Sequence, residues 1–571
     1  MKVHISRHHK DITTGSTPSQ PAQEPPPVAD QGQHTVAWMD FSRVEAYDNQ
    51  LALQAEFDLE TLLIDAVDPA LLSDININHS TQGLGVTIQQ GSLFGLPTVS
   101  WRKSFQISES KRGEMAALMR KQQSSICNKE LELEFPAPLA IQRYVAAFFD
   151  VFPSIIPCFH LPTWNAEEQP PVLLLAITAL GAAVCDKTTT SLALYRAAQM
   201  GIWNYIVRSV EHLKDSWVKC ETESPQSWAQ WLEAETVIRT KLSVYVYFGQ
   251  LNIAFNMPFL LVNEEVDIAL PCAEEEWQAA SEAQWSQVRS RAQPGTSGGL
   301  RFLEALETLL GRCGDVELDA NVERLAWTPF GSLVILYAIL QEIWQIRRYV
   351  NGHRNLVAEQ LQRFEHGLCR LERIWEASAQ YLPAGSLPQP ILLDANALFN
   401  AAYFRLHANL PRPKPGLLSF DQDLMMQVTT QFIKHVSRSV ESNRAACYAI
   451  RALLMPFTAG LEWTHKNMAG VCSLHFYFIS SMQSCLYLSR WLESLASVSM
   501  ADWNPDEQKV VELTRTALNE IGVDEDFSHA PLHVQLLQGW CLMFKNPGQW
   551  GFAADFVQIM RRYAESMVGQ T

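Results

Sequence analysis

The chain has 571 residues and a formal net charge of −17, long enough for two or three average domains or one large one. That charge excludes a basic nucleic-acid surface spread over the whole molecule, because phosphates would repel it; any DNA contact has to come from a local basic module. A hydrophobic fraction of 47% with 17 tryptophans supplies enough apolar surface for a sizeable core.

The chain opens "MKVHISRHHK". His4 and His8 stand four apart, so on a helix both imidazoles share a face, as in the second half of a two-cysteine, two-histidine zinc finger. No cysteine precedes Cys127. Two of four ligands do not close a tetrahedral site, and a finger does not fold without its metal. Residues 3–10 therefore read as a finger remnant, with either the coding region starting further upstream or DNA reading lost. A chance His-x-x-x-His in a basic tail is the third reading. This polar, histidine-rich start is the wrong one for a secretory signal. The eleven cysteines are scattered with no pair at knuckle or redox spacing, which fits a reduced intracellular compartment.

Residues 11–37 are rich in Pro, Ser, Thr and Gln with almost nothing to bury, so 1–37 is expected to be a disordered tail. The segment 38–76 changes character. Between Asp40 and Asp74 nine carboxylates face one cation, Arg43. Leu59, Leu62, Leu63, Val67, Leu71 and Leu72 recur at steps of mostly three and four. An acidic, amphipathic, marginally helical segment beside a disordered tail resembles a transcriptional activation segment, which folds onto a coactivator groove; an ordinary surface helix docked on the core is the alternative. Residues 77–135 read as a linker, marked by "HSTQGLG" and "GSLFGLP". Three basic doublets lie here, Arg102-Lys103, Lys111-Arg112 and Arg120-Lys121, either a nuclear import signal or, with such loose spacing, a solvated helix face.

From 136 to 571 the pattern is helical nearly throughout, predicting one large all-α domain. The longest apolar run, "VLLLAITALGAAVC", is too short for a bilayer and reads as a buried core helix. Ser224 and Pro225 mark an N-terminus, and Trp228, Trp231, Leu232, Ile238, Leu242, Tyr245, Val246 and Ile253 form one stripe at helical spacing. Further helices are expected near 170–185, 189–213, 299–312, 322–350, 354–378, 392–407, 421–455, 469–496, 505–521, 531–544 and 549–567. No fixed-period repeat is evident, so the chain is not an obvious solenoid.

The enzyme signatures are missing. No Gly-x-Ser-x-Gly turn sits between a strand and a helix, and there is no P-loop, His-Glu-x-x-His or dinucleotide fingerprint. Cys472 and His475, three apart on an apolar helix, read as core rather than nucleophile and base. His529 and His533 have metal-like spacing near Asp524 and Asp526, but Pro531 interrupts them and no fourth ligand is evident. The Asp-rich "DQDLMM" and "DEDF" lack the facing partner motif a terpene cyclase needs. No catalytic or cofactor-binding residue is assigned.

Three stretches in order carry a resemblance: "YVAAFFDVFPSIIPCFHLPTW" (144–164), "PPVLLLAITALGAAVC" (170–185), and 228–285 with "FNMPFLL" followed by "LPC" and a tryptophan. Together they resemble the fungal-specific transcription factor domain, the helical regulatory region downstream of zinc binuclear clusters and two-histidine fingers; the third stretch is most like the finger-bearing branch. Each also has its own packing logic. Pro153, Pro157 and Pro162 punctuate a helix exit, His160 reads as a hydrogen-bonded core histidine, and Ala179-Leu180-Gly181 admits a close neighbouring helix. Asn256-Met257-Pro258 ends the long helix. Of the family's arginine-rich patch and aspartate in the third stretch, Glu235 and Arg239 remain. The interval between Trp203 and Trp228 is short for the family, as if one core helix were missing.

The resemblance implies a non-enzymatic nuclear regulator of RNA polymerase II genes that meets DNA and coactivators, with zinc only in an upstream finger and no membrane partner. The helical domain would regulate or form a homodimer, and a secondary-metabolite gene cluster is the implied target. The rival expectation is a helical adaptor or small-molecule sensor without its own DNA contact, favoured by the net charge and the missing cysteine pair.

Overall fold

A computed structural model describes residues 103–123, 135–152, 157–185, 187–199, 227–255, 259, 261–266, 268–291, 300–311, 327–349, 358–380, 390–408, 410, 422–432, 436–459, 474–521, 529–544 and 551–568. All lie in the compact unit Asp65–Thr571. His4, His8, the segment 38–76, the Ser224-Pro225 pair and the short interval 203–226 fall outside the described residues.

Seventeen α-helices and no strand occur among the described residues, which is the all-α class expected. In chain order they are α1 (Glu109–Gln123), α2 (Pro138–Val151), α3 (Pro171–Val184), α4 (188–199), α5 (Trp228–Phe255), α6 (Glu274–Trp277), α7 (Glu282–Arg291), α8 (Phe302–Leu309), α9 (Pro329–Tyr349), α10 (Ala358–Gln380), α11 (Pro390–His407), α12 (Gln422–Phe432), α13 (Val440–Ala459), α14 (Leu474–Ala496), α15 (Pro505–Ile521), α16 (Leu532–Met543) and α17 (Gly551–Val568). Five begin at a proline, whose fixed φ suits a first turn that needs no N–H partner.

Three cores follow one another along the chain. In the first, α1 to α4 bury Met115, Phe149, Leu174 and Leu194. The close approach of α2 and α3 depends on Gly181, where an added Cβ would stand 1.8 Å from the carbonyl oxygen of Tyr144; no side chain fits. The second core joins α5, α8, α9, α10 and α11 around Leu242, Phe302, Val334 and Phe364. The third joins α11 to α17 around Leu453, Trp491 and Trp540. Each of these buried indoles finds an acceptor, as an enclosed N–H must: Trp491 donates to Asn443 Oδ1 at 3.1 Å and Trp540 to Ser481 Oγ at 3.0 Å.

Three expectations change. The stretch 77–135 contributes α1, whose Met115 and Met119 enter the first core; Arg112, from one basic doublet, donates to the carbonyls of Pro136 and Phe135. The single helix expected over 421–455 is two, α12 and α13. Ser439 and Ser442 exchange backbone-to-side-chain hydrogen bonds there, at 2.8 and 3.1 Å, and start α13 afresh. Finally, among the described residues the stretch nearest to a membrane span is α9 rather than the apolar run ending at Cys185: α9 is long and apolar enough by composition to cross a bilayer over Pro329–Arg347, but most of it is buried inside the protein.

The loop after α5 is stitched to α9. Asn263 accepts from the Tyr245 hydroxyl at 2.7 Å and donates to Ala338 O and Glu342 Oε1 at 3.1 and 2.8 Å. Beyond it, an isolated bridge pairs Ala269 with Arg301. This short clip holds residues 268–272 against α8 and delivers Cys272 to the middle of α5.

Candidate functional site

The centre of the first half forms where α5 meets that delivered loop. Glu235 and Arg239 stand four apart on a helix whose other inward positions are mostly apolar, so folding α5 buries both on one face. Arg239 is 0% and Glu235 5% exposed. Arg239 Nε donates to Glu235 Oε1 at 2.9 Å, Nη2 to Cys272 O at 3.0 Å, and Nη1 to Glu274 Oε2 at 3.4 Å and to Pro157 O at 3.5 Å. Glu235 Oε1 also accepts the Cys272 N–H at 2.9 Å. The guanidinium carbon lies 4.4 Å from the centroid of Trp277, a cation–π contact strengthened by the absence of water. One side chain thus ties together the Phe-Pro stretch, the long helix and the Leu-Pro-Cys turn.

Tryptophans wall this centre. Trp231 and Trp285 lie 5.4 Å apart. The Trp285 N–H donates to Glu276 Oε1 at 3.1 Å, and Arg289 reaches the same oxygen at 3.3 Å. His160 meets Trp277 edge to face at 4.9 Å, and its Nδ1 pairs with Thr163 Oγ1 at 2.7 Å. Its Nε2 is enclosed near the backbone of Trp277 and Ala279 without a well-aligned partner. It is the core histidine expected.

The titratable groups here are shifted away from the forms that acid–base or nucleophilic chemistry uses. Burial lowers His160 to about 4, so it is neutral at physiological pH. Burial pushes the Cys158 thiol up to about 12, and burial with the Glu235 charge holds Cys272 well above its ordinary value; a nucleophilic cysteine needs the opposite shift. The arrangement can hold and orient backbone segments, and its cation is fully engaged.

A second buried-ion centre lies in the third core. Glu507, 0% exposed, sits in the first turn of α15 and shares a reciprocal cap with Asn504: Glu507 N donates to Asn504 Oδ1 and Asn504 N to Glu507 Oε2, both at 2.9 Å. Arg438 grips the carboxylate with two 2.6 Å bonds, and Asn443 Nδ2 adds one at 3.1 Å.

The other candidates do not converge. His529 is exposed whereas His533 is buried on α16. Asp524 and Asp526, like Cys472, lie outside the described residues, and His475 is on α14. Asp423 of "DQDLMM" pairs with Arg562 at 3.1 Å. No group of three or more metal-ligating side chains occurs among the described residues, and none of their cysteines forms a disulfide. Sequence reasoning kept Glu235 and Arg239 as family remnants but missed their partners; the available signal was an ion pair at i, i+4 inside an apolar stripe.

Two family models match the chain. The fungal specific transcription factor domain matches residues 208–366 and contains the Arg239 centre apart from Pro157 and His160. The fungal transcription factor C-terminal domain matches residues 411–563 and contains the Glu507 centre. No curated protein and no solved structure matches the chain.

Proposed function

Since the chain is a fungal-specific transcription factor domain protein, and so a fungal transcription regulator, we propose that it acts in the nucleus on RNA polymerase II genes, by binding rather than by catalysis. The observation that carries this reading is the presence of both matched domains, in order, on one all-helical scaffold whose best-formed polar centre is spent on packing. The acidic segment 38–76 is the effector and engages a coactivator groove through its leucines. DNA is read by a separate basic module, because a net charge of −17 opposes phosphate binding by the scaffold. A secondary-metabolite gene cluster is the target class we favour.

Fusion of residues 38–76 to a heterologous DNA-binding module tests the effector role. Reporter output should exceed that of a scrambled segment of equal charge; equal output refutes it. Deleting the gene should silence a contiguous set of transcripts, and occupancy of their promoters by the full chain separates a DNA-reading regulator from an adaptor that reaches DNA through a partner.

A further inference from the structure

Helix α11 lies between the two matched stretches and belongs to neither. Its side chains nevertheless enter both cores. Leu398, Ala402 and Leu406 pack in the second core; Phe404, and Ala408 just past the helix end, pack in the third. Tyr403 stacks on Tyr448 of α13 with centroids 4.5 Å apart.

Polar links repeat the pattern. Arg405 Nη2 donates to Ile253 O, in the last turn of α5, at 2.6 Å and to Gln483 Oε1 of α14 at 2.7 Å. One nitrogen therefore holds an element of each matched domain. Arg347 of α9 donates to Leu406 O. Glu365 of α10 receives Arg444 of α13 at 2.9 Å and lies 3.3 Å from His407 Nε2.

Arg405 differs from Arg239 in having no carboxylate among its partners, and its Nε is enclosed without an acceptor. Burial pulls this guanidinium down to about 10. What stabilises it is the Ile253 carbonyl at the negative end of α5 and the Gln483 amide oxygen. Both acceptors are in place only while α5 and α14 keep their spacing. A shift of either core removes one of the cation's two acceptors, which makes release into water the competing state.

We propose that α11 is a coupling element that makes the two matched domains respond as one, and that Arg405 is the pin through which a disturbance in either core reaches the other. This concerns transmission inside the scaffold and stands whether or not the regulatory target assigned above is right.

Hydrogen exchange on the full chain tests it. Ile335→Val trims one methylene from the second core without threatening the fold. With Arg405 intact, amide exchange should accelerate about fivefold in α16 of the third core as well as in α9. In an Arg405→Met background the acceleration should stay in α9. Should that variant fail to fold, Arg405→Gln keeps a hydrogen-bonding end but lacks the charge and the reach to hold both acceptors, and should give the same separation. The reciprocal probe, Leu537→Ala in the third core, should reach α9 only when Arg405 is present. An α16 that ignores Ile335→Val in the otherwise unchanged chain overturns the coupling, and an α16 that still responds without the arginine overturns the pin.

Discussion

The two buried-ion centres are near mirror images, and they solve opposite problems. In the Arg239 centre the cation is 0% exposed and its helix-borne partner Glu235 only 5%, so both charges have left water. In the Glu507 centre the carboxylate is buried, but Arg438 is 40% exposed and the N-terminus of α15 supplies further positive potential. A pair with both members desolvated is costly to make and costlier to halve. A pair with one foot in solvent can let go of one member cheaply. The first centre should therefore behave as an all-or-none lock, and the second as a cap that can be weakened by degrees.

The largest expected effect breaks the lock. Arg239→Met strands the Glu235 carboxylate and should lower unfolding free energy by about 3–5 kcal/mol in urea titrations. The paired variant Arg239→Met/Glu235→Leu should recover most of that loss, because neither charge of this pair is left buried without the other. Failure to recover would place the cost in the Cys272 backbone groups and erase the contrast. Glu507→Gln comes next at about 1–2 kcal/mol, since the cap geometry survives and Arg438 turns to water.

Acid separates the centres by pH window. His160 is held at about 4, below its ordinary 6.5. The unfolded chain therefore binds the extra proton first, and stability present above pH 6.5 is lost as pH falls toward 4. Burial lowers His407 and His533 too, so they add to the same window. His160→Gln should flatten its own share, on the order of 1 kcal/mol, in melting curves across that range. Glu507 is held below its ordinary 4.5, chiefly by the Arg438 bonds; its contribution is present above pH 4.5 and lost below it, so Glu507→Gln should lower stability uniformly above pH 4.5 and flatten the slope only in the more acidic limb. The smallest effect is at the rim. Glu274 is 45% exposed, and Glu274→Gln should cost under about 1 kcal/mol.

Much of the fold was legible because it rests on local periodicity. The apolar stripe of α5 is borne out by buried Trp231, Leu242, Tyr245, Val246 and Ile253, and the close packing read from Ala179-Leu180-Gly181 is real at Gly181. The break between α12 and α13 was missed because Ser439 and Ser442 carry apolar neighbours at helical spacing on both sides; among the described residues their reciprocal hydrogen bonds mark the new start. The start of α5 was read from Ser224 and Pro225, which lie outside the described residues; among the described ones Ser227 accepts from Gln230 N at 3.3 Å. The centres were half legible for the same reason. Glu235 and Arg239 are four apart and visible as a pair, but Cys272 and Pro157 reach Arg239 across 33 and 82 positions, and no local pattern encodes such a meeting. Arg405 gave no signal at all, because what sets it apart is the lack of a neighbouring carboxylate in space.

The burial of α9 has a consequence for how the polypeptide is born. Its Pro329–Arg347 stretch has the length and apolar composition of a membrane span, and α10 and α11 are among the helices that close over it. Those helices finish at His407, so at roughly 5–20 residues per second the ribosome leaves the greasy segment uncovered for on the order of 3–12 seconds. Variants that delay the closing of α11 should lengthen that interval and accumulate in the insoluble fraction of cell extracts rather than as misfunctioning protein.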